Sequence, residues 1–196
     1  MAFYEIQHHI LLTSSQQDEL AEAITKIHAD QFGAVKQFVR VTFTDTSNTR
    51  SYIGGEQQGE NRIVARVRHG QASAGQDWDQ VCAQISAAWQ SVVGVGLPKV
   101  RRSEPDQDTS LGSVIVEDSV MGGREIGIPV HRNQCDAEWM NENWEKLEAR
   151  ANDGDEKCQK VVADARQRQL LEGKFGWESK EAQRRLEEYL GWGDAA

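Results

Sequence analysis

Met1-Ala2-Phe3-Tyr4-Glu5-Ile6-Gln7-His8 is the stretch from which the rest of the chain can be read. Phe3 to His8 alternates with the two-residue period of a strand. β-type sequence begins at once, with no leader expected, so the α-amine is placed at the edge of the fold. Loss of Met1 is expected before a residue as small as Ala2, which would make the Ala2 amine a titratable group inside the architecture. A free α-amine has a reference pKa of about 7.7–8.0, and an apolar setting lowers it toward a usable general base.

Beyond this strand the chain carries one pattern in two copies. In the first copy Thr13-Ser14-Ser15-Gln16 offers N-cap residues, Leu20, Ile24 and Ile27 recur at helical spacing, and Gly33 ends the helix. Phe38-Val39-Arg40-Val41-Thr42-Phe43 then alternates, with Val39, Val41 and Phe43 on one face. In the second copy Ile63, Ala65 and Val67 alternate with Arg62, Val64, Arg66 and Arg68. A helix over roughly 76–93 carries Trp78, Val81, Ile85, Ala88 and Trp89 on its apolar side, and Ser113-Val114-Ile115-Val116-Glu117 is the closing strand. Right-handed crossovers make each copy a parallel strand pair with its helix on one face. The opposite face is then expected to display Glu5, Gln7, Arg40, Thr42, Arg66 and Arg68 with Phe3 and Phe38 among them, a surface suited to association.

Between the copies, Tyr52-Ile53-Gly54-Gly55-Glu56-Gln57-Gln58-Gly59 reads as a hairpin connector, because no Lys-Ser/Thr pair and no helix comes after the glycines. The stretch 98–110 has no apolar period and reads as a surface loop or partly disordered insertion. From Asp136, an N-cap candidate, the pattern turns helical, with Trp139, Met140, Trp144 and Leu147, a break at Asn152-Asp153-Gly154, and further segments ending near Gly173 and Leu190. Two parts are expected: a double β-α-β domain over 1–133 and a helical extension over 134–196. Four of the six tryptophans lie in the extension, where an amphipathic helix packing its rings on the core or on a neighbouring subunit is the simpler reading, and a partner-binding module the other.

Composition narrows the function. The 196 residues, 38% hydrophobic and 27% charged, can bury one sizeable core. With 31 acidic against 22 basic residues and a net charge of -9, the chain lacks the cationic excess that phosphate backbones require, so nucleic acid is not an expected partner. The extension does not alter this, carrying 15 acidic and 10 basic residues from position 134 on. No apolar run approaches the ~20 residues of a membrane helix. Cys82, Cys135 and Cys158 form no CxxC and have no His at zinc-ligand spacing, so a reduced, cytoplasmic protein without metal or other cofactor is expected.

The paired β-α-β plan, the strand starting after Met1, the run Ala23-Ile24-Thr25-Lys26-Ile27-His28 and the run Ile53-Gly54-Gly55-Glu56-Gln57-Gln58-Gly59 resemble the tautomerase superfamily, and within it the cis-3-chloroacrylic acid dehalogenase group with its fungal relatives. Glu117 through Gly127 to Glu138-Trp139 is also similar in spacing. The resemblance covers roughly 2–139. It implies an α+β fold of two fused β-α-β units, with a four-stranded sheet and two helices, a homotrimer, and a proline at the mature N-terminus whose secondary amine is the general acid or base. Here that position is Ala2. The resemblance also implies a His on the first helix, matched by His28, and a water-activating Glu after the last strand, matched by Glu125. Two arginines that hold the substrate carboxylate fall at Gly70 and Ser73, and a supporting Tyr at Val114, so those groups are absent. Arg40 stands where other tautomerases orient a carboxylate, with Arg66 and Arg68 as nearby candidates.

Each candidate has a plainer reading. His28 lies near the buried stripe of its helix and can be a satisfied core histidine; Glu125 can be a loop carboxylate paired with Arg124; Arg40 can be an interface partner of Glu5. His8-His9 and Met121 read as structural, and Cys82 as a small buried apolar residue. The expectation is weak or absent keto-enol tautomerase activity on small 2-keto acids, without efficient dehalogenation, since loss of a bidentate carboxylate clamp removes positioning and charge neutralisation together. A primary amine could instead form an imine with an aldehyde or ketone. The other class is a catalytically impaired trimer that binds a small molecule or a protein, with the Trp-rich extension as its added element.

Overall fold

The computed structural model describes residues 1–68, 78–94, 108–120, 122–130 and 136–171. In chain order these form β1 (Ala2–His8), α1 (Ser14–Phe32), a 3-10 turn (Lys36–Phe38), β2 (Val39–Asp45), β3 (Tyr52–Ile53), β4 (Glu56–Gln57), β5 (Asn61–Arg68), α2 (Trp78–Val92), β6 (Leu111–Val120), β7 (Gly123–Glu125), β8 (Ile128–Val130), α3 (Asp136–Asn152) and α4 (Glu156–Gln167). The main sheet runs β2-β1-β5-β6. β1 is parallel to β2, β5 is parallel to β6, and the two pairs meet antiparallel through β1 and β5. The α+β architecture of two fused β-α-β units with added C-terminal helices is therefore present.

Local sequence explains the elements. Thr13 caps α1 through a reciprocal capping box with Gln16, and Gly33 ends it in the left-handed region at φ 58°. The glycine-punctuated connector is the β3–β4 hairpin, whose turn residues Gly54 and Gly55 both have positive φ. Ala2, Tyr4 and Ile6 of β1 and Ile63, Ala65 and Val67 of β5 face α1 and α2, where Leu20, Ile24, Val81, Ile85 and Trp89 complete a buried cluster. Burial of each such side chain contributes about 1.5–3 kcal/mol. The strand expected over 113–117 is longer than its apolar run, because both of its ends pair with β5.

The extension does not hang free. Trp139, Met140, Trp144 and Leu147 of α3 and Cys158, Val161 and Val162 of α4 form a second cluster with Met1, Val35, Phe38, Ile128 and Val130. Polar ties fasten it: Trp139 Nε1 donates to Pro129 O at 2.7 Å, Lys36 N to Asp164 at 2.9 Å, and Arg168 to Asp30 and to Ala29 O at 3.0 and 2.5 Å. Trp139 and Trp144 thus obey the simpler reading and pack within the chain. Trp177, Trp192, Gly173 and Leu190 lie outside the described residues, as do Cys135, Met121, Gly70, Ser73 and most of the 98–110 stretch. The helix expected to be capped by Asp136 instead has Asp136 as its first residue. Among the described residues, no helix is long and apolar enough to cross a membrane.

Candidate functional site

The start of β1 is where both copies and the extension converge. Ala2 pairs with Val39 on one side and Val67 on the other and has no exposed surface. Around it the fold gathers Tyr4 from β1, His28 from α1, Arg68 from the end of β5, and Asp136 from the start of α3. Arg40 of β2 and Glu125 of β7 stand beside them.

His28 is fully buried, consistent with its place on the core side of α1. Its Nδ1 lies 2.9 Å from the Tyr4 hydroxyl, its ring stands edge-on to Tyr4, and Phe32 and Trp78 continue the aromatic row with centroid spacings of 4.6 and 4.7 Å. Burial, reinforced by the positive charge of the Met1 amine, pushes the imidazole pKa down to about 3. The ring is therefore neutral at pH 7, and Nε2 has no hydrogen-bond partner among the described residues. Burial likewise raises the Tyr4 hydroxyl far above its ordinary value.

The Met1 amine lies 3.1 and 3.3 Å from the two oxygens of Asp136, and Arg68 donates to the same carboxylate. Burial lowers the affinity of that amine for a proton, and Asp136 opposes the shift. Sequence reasoning placed Arg68 on the open face with Arg66. The structure corrects this: Arg68 has no exposed surface, because strand alternation assigns it a face while the start of α3 covers the strand's end.

Two simpler pairings are also corrected. Glu125 does not pair with Arg124, whose guanidinium donates to Gly127 O at 3.0 Å. Arg40 does not pair with Glu5. Instead Arg40 makes a two-point contact with Glu125 at 2.7 and 3.1 Å and lies over the Phe3 ring at 5.3 Å. Glu5 is held by Arg66 at 2.9 Å, and Arg66 also reaches Glu117 at 3.1 Å. Of the six residues singled out in the sequence, Ala2, His28 and Arg68 lie at the buried start of β1, Arg40 and Glu125 form a pair next to it, and Arg66 belongs to the open sheet face.

Sequence reasoning missed Tyr4 and the part played by Asp136. Tyr4 was findable, being in phase with the helix-facing residues of β1. Asp136 was not, since no local pattern links it to a strand 135 positions away.

Among known proteins, the family model described as "Putative oxalocrotonate tautomerase enzyme" matches residues 1–144. The chain belongs to this tautomerase family. Its matched part takes in both β-α-β units and runs into α3. No curated protein matches the tautomerase chain. Among solved structures, native fused 4-OT is 19% identical at a TM-score of 0.45, covering 68% of this chain and 95% of that one. A fused 4-OT described as a wild-type asymmetric trimer is 17% identical at 0.44, covering 59% and 85%. MIF2 of Leishmania major is 14% identical at 0.45, covering 66% and 97%.

Proposed function

We propose that this tautomerase-family protein belongs near the cis-3-chloroacrylic acid dehalogenase group, with Ala2 in place of the catalytic proline, and has weak or no keto-enol tautomerase activity on small 2-keto acids and no efficient dehalogenase activity. One observation carries the reading: every arginine proposed to bind substrate already has a carboxylate of this chain as its partner. Arg40 is held by Glu125, Arg66 by Glu5 and Glu117, and Arg68 by Asp136. A substrate carboxylate must displace one of these before it is positioned, so the gain that orientation normally supplies is offset. The same pairing occupies Glu125, the proposed water-activating group. Proton transfer, where it occurs, is assigned to the amine that Ala2 carries once Met1 is removed, with His28 as a neutral neighbour.

The proposal includes a cytoplasmic homotrimer associating through the open sheet face, and a division into a tautomerase-like domain over 1–133 and an extension over 134–196. Its test is the turnover of phenylpyruvate enol by the full chain, alongside an intact mass that reports whether Met1 is present. Turnover equal to that of proline-bearing tautomerases overturns it. A second reading, a non-catalytic trimeric binding or scaffold protein, is favoured by the full burial of Ala2 and His28. Trp139 and Trp144 are not available to such a partner, since both are buried.

A further inference from the structure

Asp136 is held as a ligand is held. Its two oxygens face the Met1 amine at 3.1 and 3.3 Å, Arg68 donates to one of them, and all three groups are buried. Two features set this apart from an ordinary structural ion pair. First, among the described residues two buried cations converge on one carboxylate, while Glu125, the other acid whose charge acts on the amine, is already taken by Arg40. Burying an uncompensated cation is costly, so such a recess favours anions. Second, the recess retains unused donors. Nε and Nη1 of Arg68 have no hydrogen-bond partner among the described residues, although this side chain has no exposed surface. A planar guanidinium presents its donors as a fork suited to carboxylate oxygens.

The carboxylate reaches this recess from outside the double β-α-β body, on the first residue of α3. We propose that the recess formed by Arg68 and the Met1 amine is a monocarboxylate-binding site that the protein fills with its own Asp136, so that the extension acts as a built-in competitor of small carboxylates. The occupant is a carboxylate on a single methylene, which fixes the size of the free ligand: formate replaces the group lost in Asp136→Ala, and acetate the group lost in Asp136→Gly. The inference rests on the reading of Arg68 as one of the anion-binding residues and on a chain that keeps Met1, which an intact mass of the protein used in the titration checks, and it adds what occupies that residue.

The test is thermal unfolding of the full chain titrated with formate, against sodium chloride at equal ionic strength. A ligand that binds only the folded state raises the midpoint with saturation. For Asp136→Ala a rise of about 3 °C or more by 100 mM formate is expected, with the wild type tracking chloride alone. Asp136→Asn keeps the shape of the side chain and is expected to show no formate response. If Asp136→Ala does not fold in plain buffer, Asp136→Gly with acetate is the second arm, and a native circular dichroism spectrum regained with acetate and not with acetamide supports the site. No response beyond chloride in either variant overturns the inference, as does an equal response in the wild type. Phenylpyruvate turnover by the same proteins separates this from the proposed function: formate binding without turnover supports both, and high wild-type turnover without a formate response overturns both.

Discussion

Arg40 and Glu125 grip one another at two points, 2.7 and 3.1 Å, although 85 residues separate them. The pair is unequal: Glu125 is 5% exposed and Arg40 43%. Its stability therefore rests on keeping the carboxylate partnered more than on the attraction itself. Leaving a buried charge uncompensated costs about 3–5 kcal/mol, and water reaching the site from the Arg40 side reduces that.

Arg40→Met is accordingly expected to lower unfolding free energy by about 1–3 kcal/mol, and the double variant Arg40→Met/Glu125→Gln by less than Arg40→Met alone. Urea unfolding at pH 7 measures both. A double variant weaker than the single would show that Glu125 is satisfied elsewhere.

His28 gives a pH signature. Its folded pKa of about 3 lies below the unfolded value of about 6.5, so the unfolded chain binds the proton more readily. Stability from this group is therefore present above pH 6.5 and is lost as pH falls toward 3. The expected slope approaches 1.4 kcal/mol per pH unit for one proton. His28→Gln, with no proton to take up, is expected to flatten the wild-type slope between pH 6 and 4.5; parallel curves in urea would contradict the burial of a neutral imidazole.

Ala2→Pro tests the site from the other side. In protein whose mass shows Met1 removed, a secondary amine at position 2 is expected to raise phenylpyruvate tautomerisation by about a hundredfold or more, within the range general acid–base catalysis supplies. A folded variant with no gain would show that the internal ion pairs, rather than the missing proline, limit the reaction.

Trp139→Ala is expected to destabilise the protein by about 3–5 kcal/mol. The ring is 1% exposed, stacks edge-on against Phe38 at 5.2 Å, and donates to Pro129 O. Thermal unfolding checks it, and a loss under about 1 kcal/mol would mean that the extension is not held by this contact.

On the open sheet face, Ile115 is 42% exposed and pairs in register with Val64. Ile115→Glu is expected to convert a species of three chains to a single chain in sedimentation equilibrium, with its circular dichroism spectrum unchanged. An unaltered mass would place the contact elsewhere.

These residues show what kind of information a sequence carries. The alternation of Ile63, Ala65 and Val67 states which side of β5 meets the helices, and Thr13 and Gly33 state where α1 begins and ends, because each of those facts depends on neighbours a few residues away. His28 was legible in the same way, four residues beyond Ile24. What covers the end of a strand is not local. Arg68 shares its alternation with Arg66, yet one is sealed by Asp136 and the other faces Glu5 and Glu117 across the sheet. Glu125 was given Arg124 because it is adjacent along the chain, and Arg40 was given Glu5 because alternation put both on one sheet face; neither rule locates β7, which brings Glu125 to Arg40.

The contact between the Met1 amine and Asp136 also bears on the order in which the molecule assembles. The two β-α-β units close through parallel pairs and one antiparallel seam, all formed before residue 121. The ring that joins residue 1 to residue 136 is the longest loop among these contacts, and closing long loops carries the larger entropic cost. Folding is therefore expected to deliver a nearly complete sheet whose first strand still has one end open, and α3 to shut it last. A chain arrested at that stage would expose Arg68 and the Met1 amine together.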